Sequence, residues 1–273
     1  MLHNVARYFF DQPGKRFRPA LVLLVAQASS PSGEVTTEQQ RLAEITEMIH
    51  TASLLHDDVM DHAEVRRGIP ALNSVHGNKL AILAGDFLLS RASLNLARLK
   101  NVEVIELLST VIAHLVEGEI MQSRTEAKEA TNLDYYMRKT YLKTASLLAH
   151  SCQGVVLLGK AEEAEMLRAS KVAFEYGKHL GLAFQLQDDV LDFEGDLATL
   201  GKVCVSLSVC LSVCLSVCVC MYTHTCPYAL PPPPNTPFPP PPHSQAPGSD
   251  LREGLTTAPV IFRKIRSPSM CML

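Results

Sequence analysis

Apolar residues recur every three to four positions through most of the chain, from Lys15 to about Gly195. This period places them along one face of an α-helix, and the segments are longer than ordinary strands. The pattern predicts a first helix entered at Pro19, where proline suits the first turn. Further helices are predicted at about 38–64, 73–99, 102–126, 133–158 and 163–194. Because no alternation of strands with turns interrupts them, we expect an all-α bundle rather than a Rossmann fold or a barrel.

Composition changes abruptly after residue 202. Six of the 8 cysteines lie between Cys204 and Cys226, and eleven of the 17 prolines lie between Pro227 and Pro247. The apolar Val/Ser/Cys run at 203–221 is long enough for a membrane span, but it lacks leucine bulk and aromatic anchors. It also lacks the paired C-x-x-C pattern of zinc sites. We therefore expect residues 203–247 to be a disordered insertion outside the bundle.

Charge and thiol content exclude several classes of protein. The formal net charge of −3 and the absence of tryptophan argue against a nucleic-acid binder. The first 202 residues contain a single cysteine, Cys152, which suits a reducing compartment. The N-terminus shows neither a signal-peptide core nor a clear transit peptide. We expect a cytosolic protein or a chain that begins after its targeting segment.

Two acidic motifs of the form D-D-x-x-D are the main chemical signal. The carboxylates are those of Asp57, Asp58, Asp61, Asp188, Asp189 and Asp192. On a helix, the first and last aspartates of each motif share a face, and their like charges repel unless solvent or a cation intervenes. A solvated acidic face explains a single motif of this kind. Two copies favour Mg²⁺, which takes few carboxylates and completes its shell with water and phosphate oxygens.

Basic residues lie near both motifs and could receive phosphate groups. They occur in the segments G-K-R-F-R-P, R-R-G, K-T and G-K, which contribute Lys15, Arg18, Arg66, Arg67, Lys143 and Lys202. Each one alone is expected on an ordinary solvated surface. Together with two metal-binding motifs, they predict a pocket for two diphosphates.

These segments, with EMIHTASLLHDDVMDHAEVRRG and GLAFQLQDDVLDF, closely resemble the trans-isoprenyl diphosphate synthases over about residues 5–202. The chain looks most like the long-chain polyprenyl group, solanesyl or decaprenyl diphosphate synthase. The resemblance implies an isoprenoid-synthase-type helical bundle with a central cavity. Residues 248–273 resemble the segment that normally follows G-K, and further C-terminal helices of the family are expected to be missing. The domains are therefore predicted as an incomplete catalytic core at 1–202, the insertion, and this remnant.

Roles follow from the resemblance, position by position. The two aspartate motifs would hold Mg²⁺ on the allylic diphosphate and take part in catalysis. Contacts to the allylic diphosphate are implied for Arg66, Lys143, Thr144, Gln185 and Lys202. The isopentenyl diphosphate site is implied for Lys15, Arg18, His50 and Arg67. From the residues alone, His50 would instead be a hydrogen-bonded core histidine.

The small residues Ala52 and Ser53 precede Asp57 on the same helix. In the family, large aromatic residues there stop chain growth, so small ones imply a long polyprenyl diphosphate of the class used in ubiquinone biosynthesis. The resemblance also implies a prenyltransferase in mitochondria, a homodimer or heteromer, and peripheral membrane association. A plastid or cytosolic location stays open.

Three alternatives remain. A terpene synthase shares the fold and the substrates, but generally lacks the second motif and the early G-K-R-F-R-P segment. A shorter-chain farnesyl or geranylgeranyl synthase would share both motifs. An inactive or regulatory subunit of a heteromeric synthase typically loses the aspartates, whereas all six are present here. Separately, the insertion and the expected missing helices argue against activity of this particular chain.

Overall fold

A computed structural model of the chain describes residues 16–66, 69–125, 129 and 132–194, with side chains described as far as residue 190. The described residues are almost entirely helical, so the predicted all-α class is confirmed. The helices are α1 Phe17–Ser29, α2 Thr37–Met60, α3 Leu72–His76, α4 Asn78–Arg98, α5 Val102–Ser123, α6 Leu133–Thr140, α7 Ser146–Leu157 and α8 Glu163–Glu194. A π-helical turn, Tyr141–Ala145, joins α6 to α7.

Polar side chains begin several of these helices. Thr36 forms a capping box with Gln39, in which the Thr36 hydroxyl accepts from the Gln39 N–H and the Gln39 side chain accepts from the Thr36 N–H. The side-chain oxygens of Asn101 and Asn132 cap α5 and α6, accepting from the backbone N–H of Val104 and from those of Asp134 and Tyr135, respectively. These contacts satisfy donors that a helix N-terminus otherwise leaves unpaired.

The structure differs from the predicted helix bounds at the first acidic motif. The helix predicted to reach residue 64 ends at Met60, and Asp61 lies at its C-terminal cap. Two short antiparallel strands follow, β1 Val65–Arg66 and β2 Ile69–Pro70, paired Val65 with Pro70 and Arg66 with Ile69. The helix predicted at 73–99 is divided at Gly77, whose φ of 81° is strained for residues with a side chain. The sequence analysis missed both features because tertiary contacts override a continuous helical period here.

Helix α2 lies at the centre of the first part of the bundle. It packs against α1, α4 and α7, and α5 packs against α7 and the π-helical turn. The side chains of Leu42, Ile45, Ile49 and Leu55 on α2 are fully buried. Their spacing of three to four residues is the apolar face that the sequence predicted.

Contacts divide the chain into two compact units, Met1–Leu182 and Ala183–Leu273. The described part of the second unit is the end of α8. The predicted insertion at 203–247 and the predicted remnant at 248–273 lie outside the described residues. Among the described residues, a single helix, α4, is both long enough and apolar enough to cross a membrane, judged by length and composition only. That test alone is weak evidence, since core helices of soluble proteins also pass it.

Candidate functional site

The first acidic motif occupies the C-terminal end of α2. Asp57 is half-buried, Asp58 is buried and Asp61 is exposed, with the Asp61 N–H donating to the Asp57 carbonyl at 2.8 Å. No basic residue occupies the last turn of α2. Because a helix C-terminus carries partial negative charge, three carboxylates there repel both one another and the helix dipole. Such a site favours cations brought from other elements or from solution.

One cation comes from the short strand pair. The Asp58 side chain is only 1% exposed, its Oδ1 accepts a hydrogen bond from Arg66 Nε at 2.5 Å, and Arg66 Nη2 lies 2.5 Å from the same oxygen as an ion pair. The Asn73 amide donates to the carbonyls of Asp58, at 3.1 Å, and Ala63, at 2.9 Å, so it holds the connecting segment against α2. The buried Asp58 Oδ2 receives no hydrogen bond within the described part of the chain. Asp58 therefore acts in this structure as the anchor of Arg66.

A second cation comes from the π-helical turn. The Lys143 Nζ lies 2.6 Å from Oε2 of Glu119 and donates to Oε1 of Gln122 at 3.0 Å. The two partners lie on α5, just after Gly118. A Cβ at Gly118 would lie 3.0 Å from the Lys143 backbone nitrogen, so only glycine permits this close approach without a shift. A π-helical turn is rare and often marks a functional position.

Burial and the neighbouring charges shift the pKa values of the three aspartates. Burial, followed by the charges of Glu119 and Asp61, raises the pKa of Asp57 from 3.8 to about 6, although Lys143 and Arg66 act in the opposite direction. The pKa of Asp58 is raised by burial against the effect of Arg66, and that of Asp61 is raised by burial and by Glu119. The site therefore holds more carboxylate than its own cations neutralise, as expected where a further cation binds.

His56 packs against α4 and in this way supports the C-terminal end of α2. Its Nε2 donates to the Ile82 carbonyl at 3.3 Å and lies 3.4 Å from the Asp86 carboxylate. A Cβ on Gly85 would lie 2.3 Å from that nitrogen, so the imidazole occupies the space that the missing side chain leaves on α4. The ring thus packs directly against the α4 backbone, and this contact fixes the residue next to Asp57.

Arg18 and His50, which the resemblance assigns to a separate diphosphate, are in contact. The Arg18 guanidinium donates from Nη1 to His50 Nε2 at 2.8 Å, joining α1 to α2. His50 is buried. Because a guanidinium has only N–H donors, His50 Nε2 is the acceptor in this contact.

The second acidic motif lies on α8 in the second unit. Asp188 is exposed, Asp189 is buried, and the Gln185 amide donates to Asp189 Oδ1 at 3.0 Å. Asp192 lies within α8, and its side chain is outside the described residues. Gln185 and Asp189 are one helical turn apart, so their contact is local and follows from the helix itself.

The polyprenyl synthetase family model matches residues 1–208. The chain belongs to this family. The resemblance seen in the acidic and basic segments is thereby confirmed.

Curated relatives agree with this polyprenyl synthetase assignment. Solanesyl-diphosphate synthase 1, mitochondrial, of Oryza sativa subsp. japonica is 52% identical over 218 residues, 74% of this chain and 50% of the relative. Decaprenyl-diphosphate synthase subunit 1 of Schizosaccharomyces pombe is 39% identical over 98% of this chain and 66% of the relative. The chain spans about half the length of the rice relative.

A solved structure with the same fold is the polyprenyl synthase from Caulobacter crescentus CB15, complexed with calcium and isoprenyl diphosphate. It has a TM-score of 0.72 and 28% identity, covering 97% of this chain and 66% of the solved one. The predicted isoprenoid-synthase-type helical fold is confirmed by this similarity.

The donor chemistry of this polyprenyl synthetase chain fits magnesium bound together with a diphosphate. Among the described residues, no group of three or more His, Cys, Asp or Glu side chains is arranged to hold a metal on its own. Mg²⁺ usually takes one or two protein carboxylates and completes its shell with water and phosphate oxygens. The half-buried Asp57 and the exposed Asp61 carry carboxylate oxygens of the hard type that Mg²⁺ takes as ligands.

The structure thus brings Asp57, Asp58, Asp61, Arg66 and Lys143 together in the first unit of this synthetase. Thr144 follows Lys143 in the π-helical turn. Lys15, Arg67 and Lys202 lie outside the described residues. The roles of all these residues stay predictions.

Ala52 is fully buried in an apolar cluster between α2 and α4 that includes Ala81, Ala84 and Leu88. Ser53 is half-buried, and its hydroxyl donates to the His50 carbonyl at 2.9 Å. The role of Ala52 and Ser53 in chain length stays a prediction.

The sequence did not single out Glu119, Gln122 and Gly118. A lone glutamate on an amphipathic helix reads as a solvated charge, and only its contact with Lys143 reveals otherwise. A usable signal was Gly118 directly before Glu119, since an isolated glycine inside a helix lowers helix stability and often marks close packing.

Proposed function

We propose that this chain is, or is part of, a prenyltransferase that condenses isopentenyl diphosphate with an allylic diphosphate. Its product would be a long all-trans polyprenyl diphosphate, which supplies the side chain of ubiquinone. The single observation that carries the proposal is the end of α2. There three carboxylates with raised pKa values meet Arg66 and Lys143, brought from two other elements.

The chemistry begins with departure of a diphosphate. The bond between C1 of the allylic substrate and its diphosphate oxygen breaks, and the electron pair leaves with the diphosphate. Arg66 and Lys143 would bind the departing oxygens and stabilise the charge that develops on them. Mg²⁺ held by Asp57 and Asp61 would supply further charge stabilisation at those oxygens, and the second motif would hold Mg²⁺ as the resemblance implies.

A new carbon–carbon bond then forms between the isopentenyl double bond and C1 of the allylic cation. A proton leaves the resulting cation and restores an alkene, and the departed diphosphate is the base that the resemblance implies. The contact between Arg18 and His50 would position the isopentenyl diphosphate for this attack. Arg67 and Lys15 would contribute to the same site, while Thr144, Gln185 and Lys202 would contact the allylic diphosphate. A nucleophilic serine or cysteine is not required.

The test is incorporation of radiolabelled isopentenyl diphosphate by this purified chain and by a full-length counterpart, each with farnesyl and geranylgeranyl diphosphate as primers. In the active protein, Asp57→Ala and Asp188→Ala should each lower turnover by orders of magnitude. Lys15→Ala should mainly raise the KM for isopentenyl diphosphate. Glu117→Gln, in an exposed ion pair with Arg138, is the matched control. Nearly unchanged turnover in Asp57→Ala at saturating Mg²⁺ would contradict the proposed role of the first motif.

A second candidate is an inactive or regulatory subunit of a heteromeric synthase. Similarity to a relative named as subunit 1 of a decaprenyl-diphosphate synthase supports a heteromeric partner. A folded sample that incorporates no isopentenyl diphosphate with any primer would favour this candidate. If incorporation is restored when a second subunit is added, the chain belongs to a heteromer. If the protein is instead a homodimeric synthase, incorporation requires no second subunit.

The length of the product is proposed from Ala52 and Ser53. Ala52→Phe in an active full-length counterpart should shift products toward farnesyl or geranylgeranyl size. The added ring must enter the cluster with Ala81 and Ala84, so a loss of about 1–3 kcal/mol in stability is also expected. Products are resolved by chain length, and thermal unfolding checks that the variant is folded. A long product from a folded variant would refute the role of this position.

The proposed location is supported by the relatives and the product. We propose that the protein works in mitochondria, and a rice relative named mitochondrial supports this. A long isoprenoid chain gains about 0.8 kcal/mol per buried CH₂, so transfer into a bilayer is strongly favoured. The enzyme is therefore proposed to associate peripherally with the membrane that receives its product. Fractionation with organelle markers tests both statements.

A further inference from the structure

The Glu119 carboxylate acts on the first acidic motif without belonging to it. Its side chain is 15% exposed, and its charge raises the pKa values of both Asp57 and Asp61. A fourth carboxylate beside the acidic motif would also repel an incoming diphosphate. Neither helix packing nor substrate charge explains its presence.

Glu119 is in contact with a cation proposed to bind the substrate. The Lys143 Nζ lies 2.6 Å from Glu119 Oε2, and that oxygen is buried without an aligned hydrogen-bond donor among the described residues. The contact is therefore chiefly electrostatic. Gln122, one turn further along α5, accepts a hydrogen bond from the same ammonium at 3.0 Å.

These two contacts restrict a side chain that is otherwise flexible. A lysine has four rotatable side-chain bonds and an ammonium with three N–H donors. With one side of the ammonium held by Glu119 and another by Gln122, a further donor is left for a ligand. The backbone is restricted as well, because Gly118 allows α5 to approach the Lys143 nitrogen closely.

We propose that Glu119, with Gln122, is a positioning residue that holds the Lys143 ammonium for the allylic diphosphate. The inference rests on the proposed function, since it names what orients one of the proposed diphosphate contacts. Holding the ammonium in place before substrate arrives reduces the conformational entropy lost on binding. That gain offsets the repulsion between Glu119 and the diphosphate.

The sign of the effect distinguishes positioning from simple charge. Glu119→Gln removes a negative charge beside a diphosphate site, so charge alone predicts tighter binding of the allylic substrate. Positioning predicts the reverse, with kcat/KM for the allylic substrate lower by about 10-fold or more. The KM for isopentenyl diphosphate should stay unchanged, which a general loss of structure would not produce.

Moving the carboxylate from position 119 to position 122 should restore the kcat/KM that Glu119→Gln loses. Because Gln122 already contacts Lys143, the double variant Glu119→Gln/Gln122→Glu moves the carboxylate along the helix while keeping one acid and one amide. We expect it to recover most of the lost kcat/KM. Glu117→Gln, the same chemical change at an exposed position on α5, should leave every parameter within about twofold, as surface substitutions usually do.

A measurement on this chain itself does not require activity. Acetylation of Lys143 by an amine-reactive reagent, followed by peptide mass spectrometry, reports whether the ammonium is held. Labelling of Lys143 should rise about fivefold or more in Glu119→Gln, as expected when a half-buried ion pair opens. It should stay unchanged in Glu117→Gln, with Lys178 as an internal reference.

Increased labelling, weaker use of the allylic substrate and rescue together support the inference. Unchanged labelling would overturn it whether or not the protein is an active synthase. Increased labelling combined with equal or tighter allylic binding would also overturn it. Failure of the proposed function is seen separately, as absence of incorporation by the unmodified full-length protein.

Discussion

Replacing Asp57 by asparagine should stabilise the fold while disabling the proposed chemistry. The Asp57 carboxylate is poorly solvated at the end of α2, and Glu119 and Asp61 add repulsion. Asparagine has nearly the same shape and no charge. In metal-free buffer near neutral pH, ionisation of the buried Asp57 carboxylate destabilises the folded wild-type chain. The asparagine variant does not have this cost.

The size of the gain follows from the pKa of Asp57, which is raised from 3.8 to about 6. Between these values the folded chain binds more protons than the unfolded chain, so stability falls as the pH rises through this interval. At about 1.4 kcal/mol per pH unit, the loss above pH 6 approaches about 3 kcal/mol. Asp57→Asn should recover up to that amount at pH 7.5 and almost nothing at pH 4.

Thermal unfolding at pH 4 and pH 7.5 in the presence of EDTA measures this difference. For a folded region of 150–250 residues, about 3 kcal/mol corresponds to a rise of about 6–12 °C in the Tm. Glu117→Gln, with its carboxylate in solvent, should show no comparable rise. Equal or lower stability of Asp57→Asn at pH 7.5 would refute the claim that burial opposes the charge. A gain that persists at pH 4 would assign it to another cause.

Two further substitutions test the packing around the site. Arg66→Met leaves the Asp58 carboxylate buried without its cation, so urea unfolding at pH 7 should show a loss of about 3–5 kcal/mol. A second change, Asp58→Asn, should restore much of that loss, and failure to do so would contradict the ion-pair explanation. Gly177→Ala places a Cβ 2.6 Å from the Leu148 carbonyl oxygen, so a net loss of about 1–3 kcal/mol is expected despite the better helix propensity of alanine. Lys171→Ala, exposed on the same helix, should change stability little, and an equal loss there would point to α8 itself rather than to the contact.

Local sequence signals predicted much of the fold. The helical period placed α5 and α8 almost at their observed bounds, since each is a continuous amphipathic segment with clear starting residues. The same signal failed after Met60. There the chain leaves the helix because Asn73 holds the connecting segment and Arg66 must turn back to reach Asp58. Those partners are distant enough in sequence that no local period reflects them.

The candidate site was predicted in a similar way. Paired acidic motifs and nearby basic residues were visible because the identity and spacing of side chains carry that information. The π-helical turn at Tyr141–Ala145 was not, because it adds a residue to a helical turn without changing the apolar pattern. The contact of Glu119 with Lys143 was missed because it joins two elements that only tertiary packing brings together.

The sequence by itself determined the all-α class, the family and the types of chemical group available for diphosphate and metal. These properties depend on short-range periodicity and on the identity of residues at fixed spacing. The tertiary structure alone decided that Asp58 anchors Arg66, that Glu119 contacts Lys143, and that burial raises the pKa of Asp57. Ion pairing and desolvation depend on distances between elements far apart in the chain, and those distances exist only after the helices have packed.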